Sequence, residues 1–281
     1  MSLVVLVDSS ADIPRPLAFA AGIDVVPMPV TIDGKTFLEG VDLFPEEFYA
    51  NFKAFADLPK TSQPNPQTLL EHYEKILAAG HEVIAIHLSS QLSATFTTAQ
   101  LVRDRCSASD KVHVIDSRGA SFGNGLLALQ VSEKLNQFAS WQEAQPYILA
   151  LRDHMRYIFT PDTLEYLVKG GRVSKTAGLV GNLLDLKPLL QITLEGNIEA
   201  FGKVRSRRSA MRRLVDVMEE EIMPGDQVIG ISHSNCLDDA QTLAEEIQKR
   251  IPLGKILYSD IGCIIGSHTG PGTLALFYQR K

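Results

Sequence analysis

With 281 residues, the chain is long enough to bury a sizeable core, in two domains or one large one. Hydrophobic residues make up 45% and charged residues 21%, a balance that argues for a folded globular protein and against disorder. A net charge of −6 gives no general attraction to nucleic acid, because phosphate neutralisation needs a basic surface and here any basic patch must be local.

The N-terminus, MSLVVLVDSS, lacks a basic lead and a long apolar run, so it reads as a strand rather than a signal peptide. No run approaches the ~20 apolar residues of a membrane span. The cysteines Cys106, Cys236 and Cys263 are far apart, with no CxxC and no histidines at zinc spacing, so they read as small buried residues in a reducing compartment. The expectation is a cytoplasmic protein with no metal and no cofactor.

In the first half, strand-like runs occur at 3–7 (LVVLV), 25–30 (VVPMPV), 82–88 (EVIAIHL) and 111–116 (KVHVID), with helical patterns between the later ones. That alternation predicts an α/β fold with a parallel sheet flanked by helices. Binding crevices in such sheets lie at the carboxyl ends of the strands, which directs attention to the loops there. Asp8 and Asp116 each end a strand before a serine, a step that can cap a helix or orient a loop. Asn65 before Pro66 starts a helix whose apolar face is Leu69, Leu70, Tyr73, Ile76 and Leu77, ending by Gly80.

Three polar segments carry candidate chemistry. In TSQPNP (61–66), Thr61 and Ser62 sit just before the Asn65 cap, where hydroxyls commonly satisfy local backbone groups. SSQLSAT (89–95) opens a helix continued by Phe96, Ala99, Val102 and Cys106, with Ser90 or Ser93 as N-cap. Ser89, Ser90, Ser93 and Thr95 exceed what one cap needs, and a helix N-terminus attracts anions. In the third, IIGSHTGPG (264–272), the glycines read as a loop in which Ser267, His268 and Thr269 converge on an oxyanion.

GASFG (119–123) fits the GxSxG nucleophile elbow, with Ser121 as the nucleophile of a serine esterase. Against this, Asp116, Ser117 and Arg118 separate it from the strand, whereas an elbow turns directly off a strand end.

Ser140 with Glu143 forms a capping box for a helix from Trp141 to Met155. The pattern changes there, and we place a boundary near 155, giving an N-terminal α/β domain (1–155) and a C-terminal α/β domain (156–281) with a mixed sheet. In the latter, YIFTP (157–161) reads as a strand, LLQITLEGNIEAFGKV as a β-hairpin turning at Gly196 and Asn197, and 227–234, 255–260 and 274–279 as further strands. KVRSRRSAMRRLVDVMEEEI is a helix with Met211, Leu214, Val215, Met218 and Ile222 on one face. Its arginines (Arg205, Arg207, Arg208, Arg212, Arg213) crowd the start and Glu219 to Glu221 the end. This opposes the helix dipole at roughly 0.3–1 kcal/mol per exposed charge, so ion pairs elsewhere must offset it, or the patch serves a small anion or an acidic partner. Lys169, Gly170, Gly171 and Arg172 can add to such a patch or simply end a helix.

Taken together, VDSSADIP, TSQPNP, SSQLSAT, DSRGASFGNG, LEYLVKGGRVS, KPLLQITLEGNI with KVRSRRSA, and IGSHTGPGTLAL resemble the DegV family, in the family's order and over essentially the whole chain. The family includes fatty-acid-binding subunits of bacterial fatty acid kinase. The resemblance implies two α/β domains with a long-chain fatty acid between them and its carboxylate held by Thr61, Ser93 and His268, with Ser62, Ser90 and Thr269 as possible additions. It also implies a carrier that takes fatty acid from a membrane surface and presents it to a separate ATP-dependent kinase for acyl-phosphate formation, in phospholipid metabolism. Arg172, Lys203 and Arg205 then belong to the kinase-docking surface. The same resemblance puts the Ser121 esterase reading in doubt. A regulatory module for a small anion is the other alternative.

Overall fold

A computed structural model describes residues 2–173 and 186–281; Ser174 of the KGGRVS run lies outside them. The first-half strands are β1 (Leu3–Asp8), β2 (Asp24–Val26), β3 (Pro29–Ile32), β4 (Lys35–Leu38), β5 (Lys60–Thr61), β6 (Glu82–His87) and β7 (Val112–Asp116). Those of the second half are β8 (Met155–Thr160), β9 (Lys187–Ile192), β10 (Ile198–Val204), β11 (Val228–His233), β12 (Lys255–Asp260) and β13 (Leu274–Gln279). The helices are α1 (Arg15–Ala20), α2 (Pro45–Asn51), α3 (Pro66–Ala78), α4 (Thr95–Arg103), α5 (Phe122–Lys134), α6 (Trp141–His154), α7 (Glu165–Lys169), α8 (Arg207–Glu221), α9 (Leu237–Arg250) and α10 (Cys263–Thr269).

The α/β architecture has two main sheets. One is a parallel four-stranded sheet, β2-β1-β6-β7; the other is six-stranded and mixed, β10-β9-β8-β13-β11-β12, in which only β11 and β12 run parallel. Period-2 alternation gives each sheet two apolar faces. On β8 and β13, Tyr157, Phe159, Ala275 and Phe277 turn toward the interior shared with the parallel sheet, while Ile158, Leu274, Leu276 and Tyr278 pack with Leu214 of α8 and Leu243 of α9. On the parallel sheet, Val5, Val7, Ile84 and Ile86 join the shared interior, and Leu6, Val83 and Ala85 pack with Leu69 and Tyr73 of α3.

Helix α5 occupies that interior, which is why Phe122 to Ala128 are all buried instead of forming one apolar stripe. Gly123 makes the packing possible: an added Cβ would lie 2.2 Å from Tyr157 Cε1 and 2.7 Å from Phe277 Cδ1.

Several expectations need correction. VVPMPV is not one strand: β2 stays in the parallel sheet, and after Pro27 the chain enters β3, the centre of a small antiparallel sheet, β4-β3-β5. Proline cannot donate to a ladder, so Pro27 interrupts and Pro29 stands as the first residue of the new strand. Neither Ser90 nor Ser93 is the N-cap of α4; that position is Ala94, and the Ser93 hydroxyl accepts from Thr95 N at 3.3 Å. The capping box of α6 does not form: Glu143 Oε2 accepts from Ala139 N, one residue before the Ser140 cap, at 2.9 Å, and the Ser140 side chain makes no cap bond. Of the cysteines only Cys263 is fully buried; Cys106 and Cys236 are half-buried, and burial pushes both thiols up to about 11.

The hairpin β9–β10 forms, with its loop spread over Thr193 to Asn197 and Gly196 at φ 92. The charge reversal of α8 is offset by ion pairs. Arg207 donates to Asp239 Oδ2 at 2.8 Å and to the Thr160 carbonyl at 3.2 Å, and Arg156 holds Glu221 at 2.7 Å.

Candidate functional site

Between the two main sheets lies a cavity of about 200 Å3, and most of its wall is apolar. Leu88 and Leu92 follow β6, Tyr157 and Phe159 come from β8, Ile192 and Ile198 from the hairpin, and Ala275 and Phe277 from β13. Leu167, Ile261, Ile264 and Ile265 add to the lining. The polar lining gathers in Thr61, Ser62, Gln63, Ser93, Ser121, Arg172, His268, Thr269 and Thr273.

Three segments distant in sequence therefore meet there. Thr61, at the end of the short strand β5, shares a hydrogen bond of 2.7 Å with His268 Nε2 on the last turn of α10. Ser93, whose hydroxyl shares a 2.8 Å bond with Thr95, lines the same cavity. Burial, followed by the nearby Arg172 guanidinium, pushes the His268 imidazole down to about 4, so it is neutral near pH 7. Its Nδ1 is buried without a hydrogen-bond partner. A neutral imidazole and two hydroxyls carry three protons, of which the Thr61–His268 bond uses one, leaving up to two donors in an apolar setting, a set suited to an anionic head group.

The GSHTGPG segment differs from the sequence expectation. Cys263 to Thr269 are helical, and only Gly270 (φ 73) and Gly272 (φ 79) use the positive φ open to glycine. Ser267 and Thr269 donate to the carbonyls of Cys263 (2.7 Å) and Ile265 (3.2 Å), four residues earlier. Such back-bonding occupies the hydroxyl protons, so Ser267 does not join His268; Thr269 remains at the cavity wall. Ser62 also lines the cavity, whereas Ser90 does not: its backbone N–H is bound to Asp116 Oδ1 at 3.2 Å.

Ser121 lines the cavity at φ 56 and ψ −154, a backbone state reminiscent of a nucleophile elbow. Its hydroxyl, however, donates to Asp12 Oδ2 at 2.5 Å, and no imidazole is hydrogen-bonded to it among the described residues.

Arg172 sits at the cavity, half-buried, donating to the carbonyls of Leu92 (3.1 Å) and Gly170 (2.6 Å). Lys203 and Arg205 are exposed, at the end of β10 and just after it. The apolar wall was not identified from sequence. Its signal was the alternation on β8 and β13, but both faces of those strands are apolar, and the pattern alone does not say which face holds a void.

The DegV family model matches residues 2–281. The chain belongs to the DegV family. A DegV domain-containing protein of Clostridium perfringens is 32% identical over 281 residues, covering 98% of this chain and 96% of the relative. Among solved structures, the DegV family protein of Thermus thermophilus, described as fatty acid binding, superposes with a TM-score of 0.90 at 30% identity, covering 99% of this chain and 100% of that one. A DegV lipid binding protein of Thermotoga maritima gives 0.88 at 29% identity, with 100% of both chains covered. DegV of Bacillus subtilis, described as a fatty acid binding protein, gives 0.87 at 29%, again over 100% of both.

Among the described residues no helix is long and apolar enough to cross a membrane, and no group of three or more His, Cys, Asp or Glu is placed to hold a metal ion.

Proposed function

We propose that this protein binds a long-chain fatty acid between an N-terminal domain (1–155) and a C-terminal domain (156–281), and presents its carboxylate to a separate ATP-dependent kinase for acyl-phosphate formation. Thr61, Ser93 and His268 hold the carboxylate, with Ser62 and Thr269 beside them. The observation that carries this reading is the apolar cavity at whose wall Thr61 and a neutral His268 meet. The fatty acid binding described for the relatives from Thermus thermophilus and Bacillus subtilis supports it.

Energetics divide the work. Each buried methylene contributes about 0.8 kcal/mol, so ten give roughly 8 kcal/mol before the entropic costs of association. A hydrogen bond to a carboxylate contributes about 1.5–3 kcal/mol. The tail therefore dominates affinity, and the polar residues fix the carboxylate where a kinase can reach it. Arg172 at the cavity and the exposed Lys203 and Arg205 form the docking surface for that kinase, and a passing contact with a membrane surface supplies the lipid.

Native mass spectrometry of the purified protein tests the binding reading: retained fatty acid is expected, and a protein that neither retains nor binds added fatty acid would overturn it. Ser93→Ala tests the division of labour. It should impair acyl-phosphate formation by an added kinase more than it weakens binding, and equal losses would count against a presenting role. A fluorophosphonate probe should leave Ser121 unlabelled, since that hydroxyl is bonded to the Asp12 carboxyl and to no imidazole among the described residues.

A further inference from the structure

The positions that line the cavity trace a path with a corner in it. Side chains two residues apart on a strand share a face, and on β13 that face carries Ala275 and Phe277, with Thr273 just before the strand in the same series; all three line the cavity. Thr273 marks the head-group end. Its hydroxyl donates to the Thr269 carbonyl at 3.1 Å, one residue beyond His268. Phe277 stands four residues on, about 13 Å away at ~3.3 Å per residue. There the row stops: the next pair on the same face, Gln279 of β13 and Met155 of β8, is not part of the lining among the described residues.

What stops it is a pair of rings. Phe277 faces Tyr157 of β8 across the ladder, edge to face, with centroids 5.8 Å apart. Neither ring has room to withdraw. A Cβ on Gly119 would lie 2.2 Å from Tyr157 Cζ and one on Gly230 would lie 3.2 Å from Phe277 Cδ2, so both rings already rest on backbone. The Tyr157 hydroxyl is anchored as well, donating to the buried Asn124 Oδ1 at 3.3 Å.

From that end the lining turns. Tyr157 pairs with Ile192 of β9, and Ile192 with Ile198 of β10, so Phe277, Tyr157, Ile192 and Ile198 form one row across four neighbouring strands, and every member lines the cavity. Paired residues share a face and strands lie ~4.8 Å apart, so this second limb runs about 10 Å from Tyr157 to Ile198, crosswise to the first. Leu190, which pairs with Phe159 nearer the head-group end, is buried in the core and is not part of the lining. The void is therefore bent, not a broad slot. A straight hydrocarbon zigzag advances roughly 1.25 Å per bond, so the first limb takes about ten carbons and a long-chain acid must turn beside Phe277 and Tyr157.

We propose that the long-chain acid taken by this cavity is one bent near its middle by a cis double bond, and that Phe277 and Tyr157 are the residues that select it. The proposal rests on the acyl-site reading above. A cis double bond builds the turn into the free ligand, so the corner costs it little. A saturated chain must freeze several torsions to follow the same path, and a trans double bond keeps the chain straight where the two rings block it.

Competition binding to the full-length protein tests this with cis-9-hexadecenoate, trans-9-hexadecenoate and hexadecanoate, which are equal in length. The cis acid should bind roughly tenfold more tightly than the trans acid, with hexadecanoate between them. Ile198→Phe, at a half-buried position, fills the end of the second limb and should weaken the cis acid roughly fivefold more than it weakens decanoate, which ends at the corner. Equal affinity for the cis and trans acids, or a tighter trans acid, would overturn the proposal, as would an Ile198→Phe protein in which the cis acid and decanoate weaken alike. A protein that binds none of these acids would overturn the acyl-site reading and the corner with it, whereas one that binds all of the sixteen-carbon acids alike would overturn the corner alone.

Discussion

The two polar corners flanking α10 are opposite in kind. At its C-terminal end stand a neutral imidazole and hydroxyls; at its N-terminal end two carboxyl groups, Asp12 and Glu39, crowd around Gly262. Burial acts on both in the same way, pushing His268 down and Asp12 up, because a low-dielectric interior disfavours whichever form is charged. The comparison teaches that burial alone does not choose a ligand. A neutral imidazole and a protonated carboxyl each keep both a donor and an acceptor, so the choice follows from which of these neighbouring groups already engage and from the wall beside them. The first corner borders a mostly apolar cavity of about 200 Å3, the second a wider cleft of about 740 Å3 with an exposed rim.

The sharpest way to break this comparison is through the tail. If the first cavity is an acyl site, replacing hexadecanoate by decanoate removes six methylenes and should cost about 5 kcal/mol in affinity. Isothermal titration checks it, and an affinity indifferent to chain length would leave the cavity without its assigned role.

The next effect is on stability. In the unfolded chain His268 takes up a proton near pH 6.5 and in the folded one near 4. The unfolded state therefore binds more protons below pH 6.5, and stability falls as pH drops through that window, by up to about 3 kcal/mol. Denaturant unfolding of ligand-free protein should show this loss, and His268→Gln should remove it. Taking the difference between the two proteins sets aside Asp12 and Glu39, whose raised values act in the opposite direction.

Gly123→Ala comes third. Its methyl would meet two rings that line the cavity, Tyr157 and Phe277, and overpacking of this kind typically costs about 1–3 kcal/mol. Both the unfolding midpoint and fatty acid affinity should drop, since either ring must shift. The smallest effect belongs to the surface: Arg207→Ala should cost about 1 kcal/mol, because its pairing with Asp239 is partly exposed. Unchanged stability there would mean that the charge reversal of α8 is tolerated without help.

Much of the fold was legible because it rests on periodicity. The runs at 3–7, 82–88, 227–234 and 274–279 became β1, β6, β11 and β13, and Asn65 caps α3 by accepting from Gln67 N at 2.8 Å. What failed was local polar detail. SSQLSAT held more hydroxyls than a cap requires, yet none of them is the cap; GSHTGPG looked like a loop because a glycine in a short buried helix has the same sequence signature as one in a turn. VVPMPV joined two sheets because an apolar run does not reveal where Pro27 sends the chain.

The amino-acid sequence by itself determined the alternation of strands and helices, the hairpin at Gly196 and the family, since those depend on order and spacing along the chain. Only the tertiary structure decided that Thr61 meets His268, that Ser90 and Ser267 stay away from the cavity, and that Asp12, Glu39 and His233 line a separate cleft. The reason is physical. Hydrogen bonds across 207 residues and shifts caused by burial belong to the packing of distant segments, which no local pattern encodes.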